Sequence, residues 1–463
     1  MNDRTRGTRI TDLVRSQRDF FNTGETRPVE FRMDALRRLR DALKLHEEEL
    51  LAALHDDVRK PPFEAFITEV GPVMDDLKHA VKNLVKWMDP ERVKTPLSLF
   101  PARSRVYHDP YGVVLIIAPW NYPLSLVIAP LIGALAAGNC AVLKTSPLAV
   151  ATTAVLKKIL GDLFPRKYVA VVEEEKDINT TLLNEKFDYI FFTGGASVGR
   201  EVYRAAAGSL TPVTLELGGK SPCIVADDAD MALAARRIAW GKFVNAGQVC
   251  VAPDYLVVSE RMKGGLVEAI IREIRKFYGD NPSESEHYAR IISDHHFRRL
   301  TRLMEGCTIV HGGRTDPADR YIAPTIIDNV KPDHPLMKEE IFGPLLPVIT
   351  TDSIDDAVRL VKSMPEPLSL YLFTGDRAVR ERIIRGIPFG GGCVNDTVVH
   401  VGNIHLPFGG VGRSGTGAYH GYESFRTFSH GKSVVLKSRF LDNPLRYAPY
   451  RKYGIRLLKF VMG

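Results

Sequence analysis

From Tyr111 to Leu143 the chain carries no charged residue. An apolar run of that length either crosses a bilayer as one helix or is buried inside a globular protein. Pro119, Asn121, Pro123, Pro130 and Asn139 break the run into short pieces and favour the second reading. It parses as a strand over 112–118, a loop, a helix over 124–137 and a second strand over 140–144. Strands of a parallel sheet are covered on both faces and read as unbroken apolar stretches. The same alternation continues downstream. Strand-like runs at 113–117, 141–143, 168–172, 189–192 and 213–217 interleave with helical runs at 123–137, 147–164, 176–186 and 197–207. This order implies βαβ units and a parallel sheet. Ligands of such sheets bind outside the carboxyl ends of the strands.

The flanks read differently. Phe31, Leu36, Leu39, Leu43, Leu50, Leu51 and Leu54 recur at helical spacing among charges, and a further helix is predicted over 63–87. Pro90, Pro96, Pro101 and Pro110 then mark an extended segment. A second alternating region begins near Ser221, with helices at 230–243 and 263–277 and a strand at 369–373. A chain of 463 residues exceeds what one core holds, so about three domains, or two with an accessory element, are expected.

Sixty-two Lys and Arg against 55 Asp and Glu leave a mild net charge of +7. Without a basic face, no nucleic-acid partner is expected. The one basic cluster is the tail 447–463, with Arg451, Lys452, Arg456 and Lys459 between apolar residues. It reads as a packed or disordered tail, or as a weak peripheral membrane contact. Five cysteines without a CxxC pair predict no metal site. Their odd number, behind a charged N-terminus with no apolar h-region, predicts reduced thiols and a cytoplasmic location.

Three residues invite chemistry, each with a plain alternative. Cys250, in Asn245-Ala246-Gly247-Gln248-Val249-Cys250, is a nucleophile or simply a small buried hydrophobe. Glu216 lies in an apolar strand that ends in Gly218-Gly219. Burial there raises a carboxyl pKa, which suits a general base, whereas partial exposure makes it an ordinary strand end. Asn121, in Pro119-Trp120-Asn121-Tyr122-Pro123, offers a neutral donor to a developing oxyanion or satisfies its own turn. The stretch Phe192-Thr193-Gly194-Gly195-Ala196-Ser197-Val198-Gly199 follows a strand and opens a helix, a place for a pyrophosphate. Gly410-Val411-Gly412-Arg413-Ser414-Gly415 matches GxGxxG, but no βαβ unit follows it. It reads as a glycine-rich loop packing near the site.

Taken in order, PWNYP at 119–123, FTGGASVG at 192–199, LELGGKSP at 215–222, NAGQVC at 245–250, EEIFGP at 339–344 and PFGGVGRSG at 407–415 resemble the aldehyde dehydrogenase superfamily across nearly the whole chain. WNYP, YIAPT at 321–325 and GAYHG at 417–421 look most like its class 3 branch, which acts on fatty and aromatic aldehydes. The resemblance implies an α/β fold in three parts. A Rossmann-like dinucleotide-binding domain would cover 1–100 and 112–216, and an α/β catalytic domain 217–415. A small β arm that joins subunits would cover 101–111 and 422–440, followed by the basic tail 441–463.

It also implies roles. Cys250 matches the nucleophile, Glu216 the general base, and Asn121 with the Cys250 backbone N–H the oxyanion hole. Lys144 matches the lysine near the cofactor ribose. Gly194, Gly195 and Gly199 match the pyrophosphate loop, and Glu340 and Phe342 the residues that position the nicotinamide ribose and ring. The implied activity is NAD- or NADP-dependent oxidation of an aldehyde to a carboxylic acid, in a homodimer with no transmembrane span. Two rivals within the fold are a CoA-acylating enzyme, whose relatives generally lack the glutamate, and a non-catalytic nucleotide-binding relative. The sequence departs from the family pattern at Lys144-Thr145-Ser146-Pro147, where Lys-Pro-Ser-Glu is usual. Without that glutamate, repulsion of a 2′-phosphate is removed, so NADP is expected to be accepted at least as well as NAD. Val249 replaces a threonine common in the branch, and the apolar surroundings of Asn121 and Val249 predict an apolar substrate tunnel.

Overall fold

The charge-free run folds as a strand, Val113–Ile117, a helix, Ser125–Ala137, and a second strand, Cys140–Lys144. The two strands pair in parallel, from Val113 opposite Cys140 to Ile117 opposite Lys144, and every residue of both is buried. The helix between them is apolar on all sides. It packs on the sheet and under the helices Val29–Leu45, Gly71–Met88 and Gly421–Thr427. A helix covered all round has no face on which a charge could be solvated, which explains the composition of the run. The structure, a computed structural model, describes residues 3–172, 178–331, 333–442, 446–450, 455–456 and 459.

Five parallel strands stand in the spatial order Val213–Glu216, Tyr189–Thr193, Val113–Ile117, Cys140–Lys144, Val169–Val172. In chain order that is 5-4-1-2-3. The connections leave the first and fourth strands in opposite directions and open a crevice at their carboxyl ends, where this topology binds nucleotides. Gly415–Thr416 returns from far along the chain and pairs antiparallel with Leu215 and Glu216 at the edge. A second sheet has seven strands, in the order Thr308–His311, Thr325–Asp328, Leu345–Thr350, Tyr255–Val258, Pro222–Val225, Ser369–Phe373, Gly391–Val394. Its pairings are parallel except at Thr308–His311. Each sheet has its own apolar core.

The third part is a ribbon of Glu91–Val93, Ala102–Pro110 and Ser429–Lys437, all antiparallel. Its extent differs from the predicted 101–111 and 422–440. Glu91–Val93 joins it, although 1–100 is expected to belong to the nucleotide unit. The helix Gly421–Thr427 leaves it, because Phe425 and Phe428 are fully buried in the first core. Gly415, expected in the catalytic unit, hydrogen-bonds into the first sheet. These boundaries depend on which sheet a short segment joins, which local periodicity does not encode.

The helix predicted over 63–87 occurs as Pro62–Ala65, a π-helical turn Phe66–Val70, and Gly71–Met88. The run at 147–164 becomes helical only at Val150–Leu163. The run at 176–186 is helical over Ile178–Leu183, and its first two residues lie outside the described ones. Most of the basic tail also lies outside them. Among the described residues, no helix is long and apolar enough to cross a membrane, and no cluster of His, Cys, Asp and Glu is arranged to hold a metal ion.

Candidate active site

Asn121 leaves the first strand of the parallel sheet at its carboxyl end, beside the crevice. Its side chain is buried, and Nδ2 donates to the Gln248 carbonyl at 3.1 Å. An amide nitrogen carries two hydrogens, so one donor remains for a substrate oxygen. The Asn121 carbonyl accepts from Lys60 Nζ at 3.2 Å and from Asn245 Nδ2 at 3.0 Å. The loop is therefore tied on one side to the N-terminal helices and on the other to the segment carrying Cys250.

That segment is strained and heavily braced. The helix Met231–Phe243 ends, and Asn245 (φ 51°) and Ala246 (φ 50°) turn left-handed. Such non-glycine residues cost ~1–3 kcal/mol each and persist only where their surroundings over-determine them. Gly247 follows at φ 72°, where a Cβ would collide with the Gly343 carbonyl, so only glycine fits. Gln248 locks the turn. Its Nε2 donates to the carbonyls of Asn245 (3.0 Å) and Arg290 (2.9 Å), and its Oε1 accepts from the Ile292 N–H at 3.0 Å. Cys250 emerges from this brace, partly exposed, onto a cavity of about 370 Å³. Tyr122, Trp240, Val249, Val398, Phe408 and Tyr419 supply much of its apolar lining.

Two carboxyl groups lie close enough to act on the Cys250 thiol. Burial pushes its pKa up to about 12, and the charges of Glu340 and Glu216 push in the same direction. The resting residue is thus a thiol. Glu216 ends the strand Val213–Glu216, and neither carboxylate oxygen has a hydrogen-bond partner among the described residues. Desolvation raises its pKa well above the ordinary range. A carboxyl left unpaired in an apolar site is costly, which makes Glu216 a candidate for proton transfer.

Glu340 stands on a segment stapled by Lys220 and Asp254. Lys220 pairs with Asp254 and donates to the carbonyls of Leu336 (2.6 Å) and Glu339 (3.1 Å), while Asp254 accepts from the Ile341 N–H at 3.0 Å. Burial raises the Glu340 carboxyl to about 8, against the pull of the Gly219 N–H and Lys220. Its Oε1 has no hydrogen-bond partner among the described residues, and a Cβ on Gly218 would overlap its carboxylate. Phe342, at φ 49°, sets its ring edge-on to Trp120 of the Asn121 loop, with centroids 5.4 Å apart.

A second cavity, of about 900 Å³, adjoins Glu340. Ala196, Arg200 and Tyr203 of the helix Ala196–Ser209 line one side, and Gly412 and Arg413 line another. The Gly410–Gly415 stretch thus packs beside the site without opening a βαβ unit, as its sequence context predicts. Gly195 precedes the helix with nothing within 4 Å of where a Cβ would stand, and Gly199 lets the helix approach Leu217. Thr193 Oγ1 is buried without a hydrogen-bond partner at the end of the fourth strand. Open backbone at a helix N-terminus, orphaned polar atoms and a large cleft fit a dinucleotide. Lys144 stands at the carboxyl end of its strand, separated from the Glu216 strand by two others, and does not line this cleft.

Residues 4–434 match the aldehyde dehydrogenase family. The chain belongs to that family. It is an oxidoreductase acting on aldehydes, and its relatives include several family 3 members. It is 47% identical over 434 residues to the 4,4'-diaponeurosporen-aldehyde dehydrogenase of Staphylococcus aureus, covering 93% of this chain and 95% of the relative. It is 41% identical over 442 residues to the dimeric NADP-preferring aldehyde dehydrogenase of Mus musculus, covering 95% and 98%. The solved structure of the substrate-bound state of Staphylococcus aureus AldH superposes with a TM-score of 0.96 at 45% identity, over 98% of this chain and 99% of that one.

The fold of this aldehyde dehydrogenase brings Cys250, Asn121, Glu216 and the pair Glu340 and Phe342 close together from four separate segments. Sequence reasoning missed the residues that hold them. Asn245 and Gln248 lie inside the motif whose sequence points to Cys250 and to the turn at Gly247. The signal for them is a turn-forming Asn-Ala-Gly followed by a glutamine with no solvent face.

Proposed function

We propose that this enzyme oxidises medium- or long-chain aliphatic or aromatic aldehydes to carboxylic acids through a thioester on Cys250. The observation that carries the reading is a thiol opening onto an apolar cavity, with the unpartnered, buried carboxyl of Glu216 within electrostatic reach. A cavity of about 370 Å³ lies within the range of ligand pockets, and its apolar wall would bind the tail of the aldehyde while leaving the carbonyl at the sulfur.

The Cys250 thiol passes its proton to the Glu216 carboxylate as its sulfur attacks the carbonyl carbon, and Glu216 gives that proton up to solvent before the second step. The remaining Nδ2 hydrogen of Asn121 and the Cys250 backbone N–H hold the oxyanion, at sites prepared before the charge develops. The cofactor is NAD or NADP, which when bound takes up the hydride released as the thiohemiacetal becomes a thioester. Glu340 and Phe342 would hold its nicotinamide ribose and ring. Gly194, Gly195, Gly199 and the N-terminus of the following helix would hold its pyrophosphate, while the ribose role that the family resemblance gives Lys144 would require the adenosine end to extend past the cleft beside Glu340 toward the Cys140–Lys144 strand. Glu216 then draws a proton from water, which displaces Cys250 and frees the acid. Splitting one hard oxidation into two steps is the value of the covalent route.

We read the antiparallel ribbon as the arm of a homodimer, in line with the dimeric mouse relative. The five free cysteines support a reducing, cytoplasmic setting. The deciding test is Glu216→Gln. It is expected to release one equivalent of reduced cofactor and then stall, with the acyl group found on Cys250 by mass spectrometry. Undiminished turnover would remove Glu216 from the role of base, and an acyl-CoA product would replace hydrolysis with transfer.

A further inference from the structure

We propose that the buried Lys60–Glu69 pair is a positioning device for the oxyanion-holding amide of Asn121. The inference rests on the reading of Asn121 and Cys250 above. Both side chains of the pair are completely buried, and Lys60 Nζ meets Glu69 Oε1 at 2.5 Å. Lys60 lies in the connection between the helices Glu47–Val58 and Pro62–Ala65, and Glu69 in the π-helical turn Phe66–Val70, far along the chain from the cysteine.

Its remaining contacts converge on one short stretch. Lys60 Nζ donates to the Asn121 carbonyl at 3.2 Å and sits 4.2 Å from the centre of the Tyr122 ring. Glu69 Oε2 accepts from the backbone N–H groups of Leu124 (2.9 Å) and Ser125 (3.2 Å). The pair thus grips the whole turn between Asn121 and the helix Ser125–Ala137. The same helical segment reaches the cysteine loop, where Glu64 Oε1 accepts from the Asn245 N–H at 2.8 Å.

The π-helical turn Phe66–Val70 explains how this is reached. It spans Glu69, which is buried, while Phe66 and Ile67 each stay 41% exposed. Single π-turns inside α-helices recur at functional sites. A pair this deeply buried is weak evidence for stability, because desolvation offsets most of the attraction. What it delivers here is geometry. Lys60 and Asn245 both donate to the Asn121 carbonyl, which fixes the peptide that carries its side chain.

The test is a double-mutant cycle read by the rate of the first-turnover burst of reduced cofactor. The four proteins are wild type, Asn121→Ala, Lys60→Met/Glu69→Gln, and the triple variant. Loss of one oxyanion donor slows acylation ~100- to 1,000-fold. Misplacing it through the pair is expected to slow acylation about 10- to 100-fold. In the triple variant the pair should add less than about threefold to the Asn121→Ala loss, since there is no amide left to position. Alkylation of Cys250 by iodoacetamide, which needs no oxyanion donor, should stay within about twofold in all four.

A burst within about threefold of wild type in the pair variant would overturn the proposal. So would losses that multiply in the triple variant, which mark general damage. Should Lys60→Met/Glu69→Gln fail to fold, Glu69→Gln alone enters the same cycle under the same criteria. An Asn121→Ala enzyme that bursts normally would instead sink the underlying reading of the site, and the inference with it.

Discussion

Replacing Gln248 by alanine is the most searching test of how Cys250 is held. The side chain satisfies three backbone groups, the carbonyls of Asn245 and Arg290 and the N–H of Ile292. The Asn245 carbonyl keeps the backbone N–H of residue 248, so two buried groups are left without a partner at ~1–3 kcal/mol each, about 2–6 kcal/mol together. Water entering the emptied space recovers part of this, and about 3 kcal/mol is expected to remain. For 463 residues the entropy of unfolding is about 1 kcal/mol per kelvin, so the thermal midpoint should fall by about 3 °C.

The larger effect falls on chemistry. Asn245 and Ala246 are held left-handed against a local preference worth ~1–3 kcal/mol each, and Gln248 bonds directly to Asn245. Once released, the turn relaxes and carries the sulfur with it. A misplacement near 1 Å costs about 100-fold in rate. The assay is the burst rate at saturating cofactor and aldehyde, measured beside a thermal scan at fixed rate. A midpoint shift below about 1 °C with an unchanged burst would refute the reasoning, because it would mean the turn needs no brace.

The remaining expectations are shorter. The thiol of the cofactor-free enzyme, raised to about 12, should be alkylated about tenfold faster for each pH unit from 7 to 10, because the thiolate fraction grows with pH below the pKa. A plateau below pH 8 would contradict that environment. Glu340, raised to about 8 from 4.5, binds its proton more tightly when folded, so it stabilises the protein below 4.5 and loses that contribution as pH rises through about 8. Glu340→Gln should flatten that part of the dependence of the thermal midpoint on pH, and an unaltered dependence would count against the burial of its carboxyl. With Pro147 where a ribose-binding glutamate is usual, kcat/KM with NADP should equal or exceed that with NAD, and a hundredfold preference for NAD would refute the reading.

The parallel sheet and its connecting helices could be read from the chain alone, because each element depends on residues adjacent in sequence. Val113–Ile117 and Cys140–Lys144 must be buried strands whatever surrounds them, and Asn121 and Glu216 must fall at strand ends. The ribbon's boundaries could not be read, because Glu91–Val93 and Gly421–Thr427 are short segments whose partners decide their place.

The brace around the reacting atoms was hidden for the same reason. Lys60 reaches across 61 residues to Asn121, Glu69 across 55 to Leu124, and Glu64 across 181 to Asn245. In the sequence these are ordinary charges on an N-terminal helix. Only packing turns them into buried partners of the catalytic turns, because a charge acquires a role from what surrounds it in space. The composition of each loop decides which chemistry is available. The contacts between loops decide whether a sulfur, an amide and a carboxyl meet closely enough to perform it.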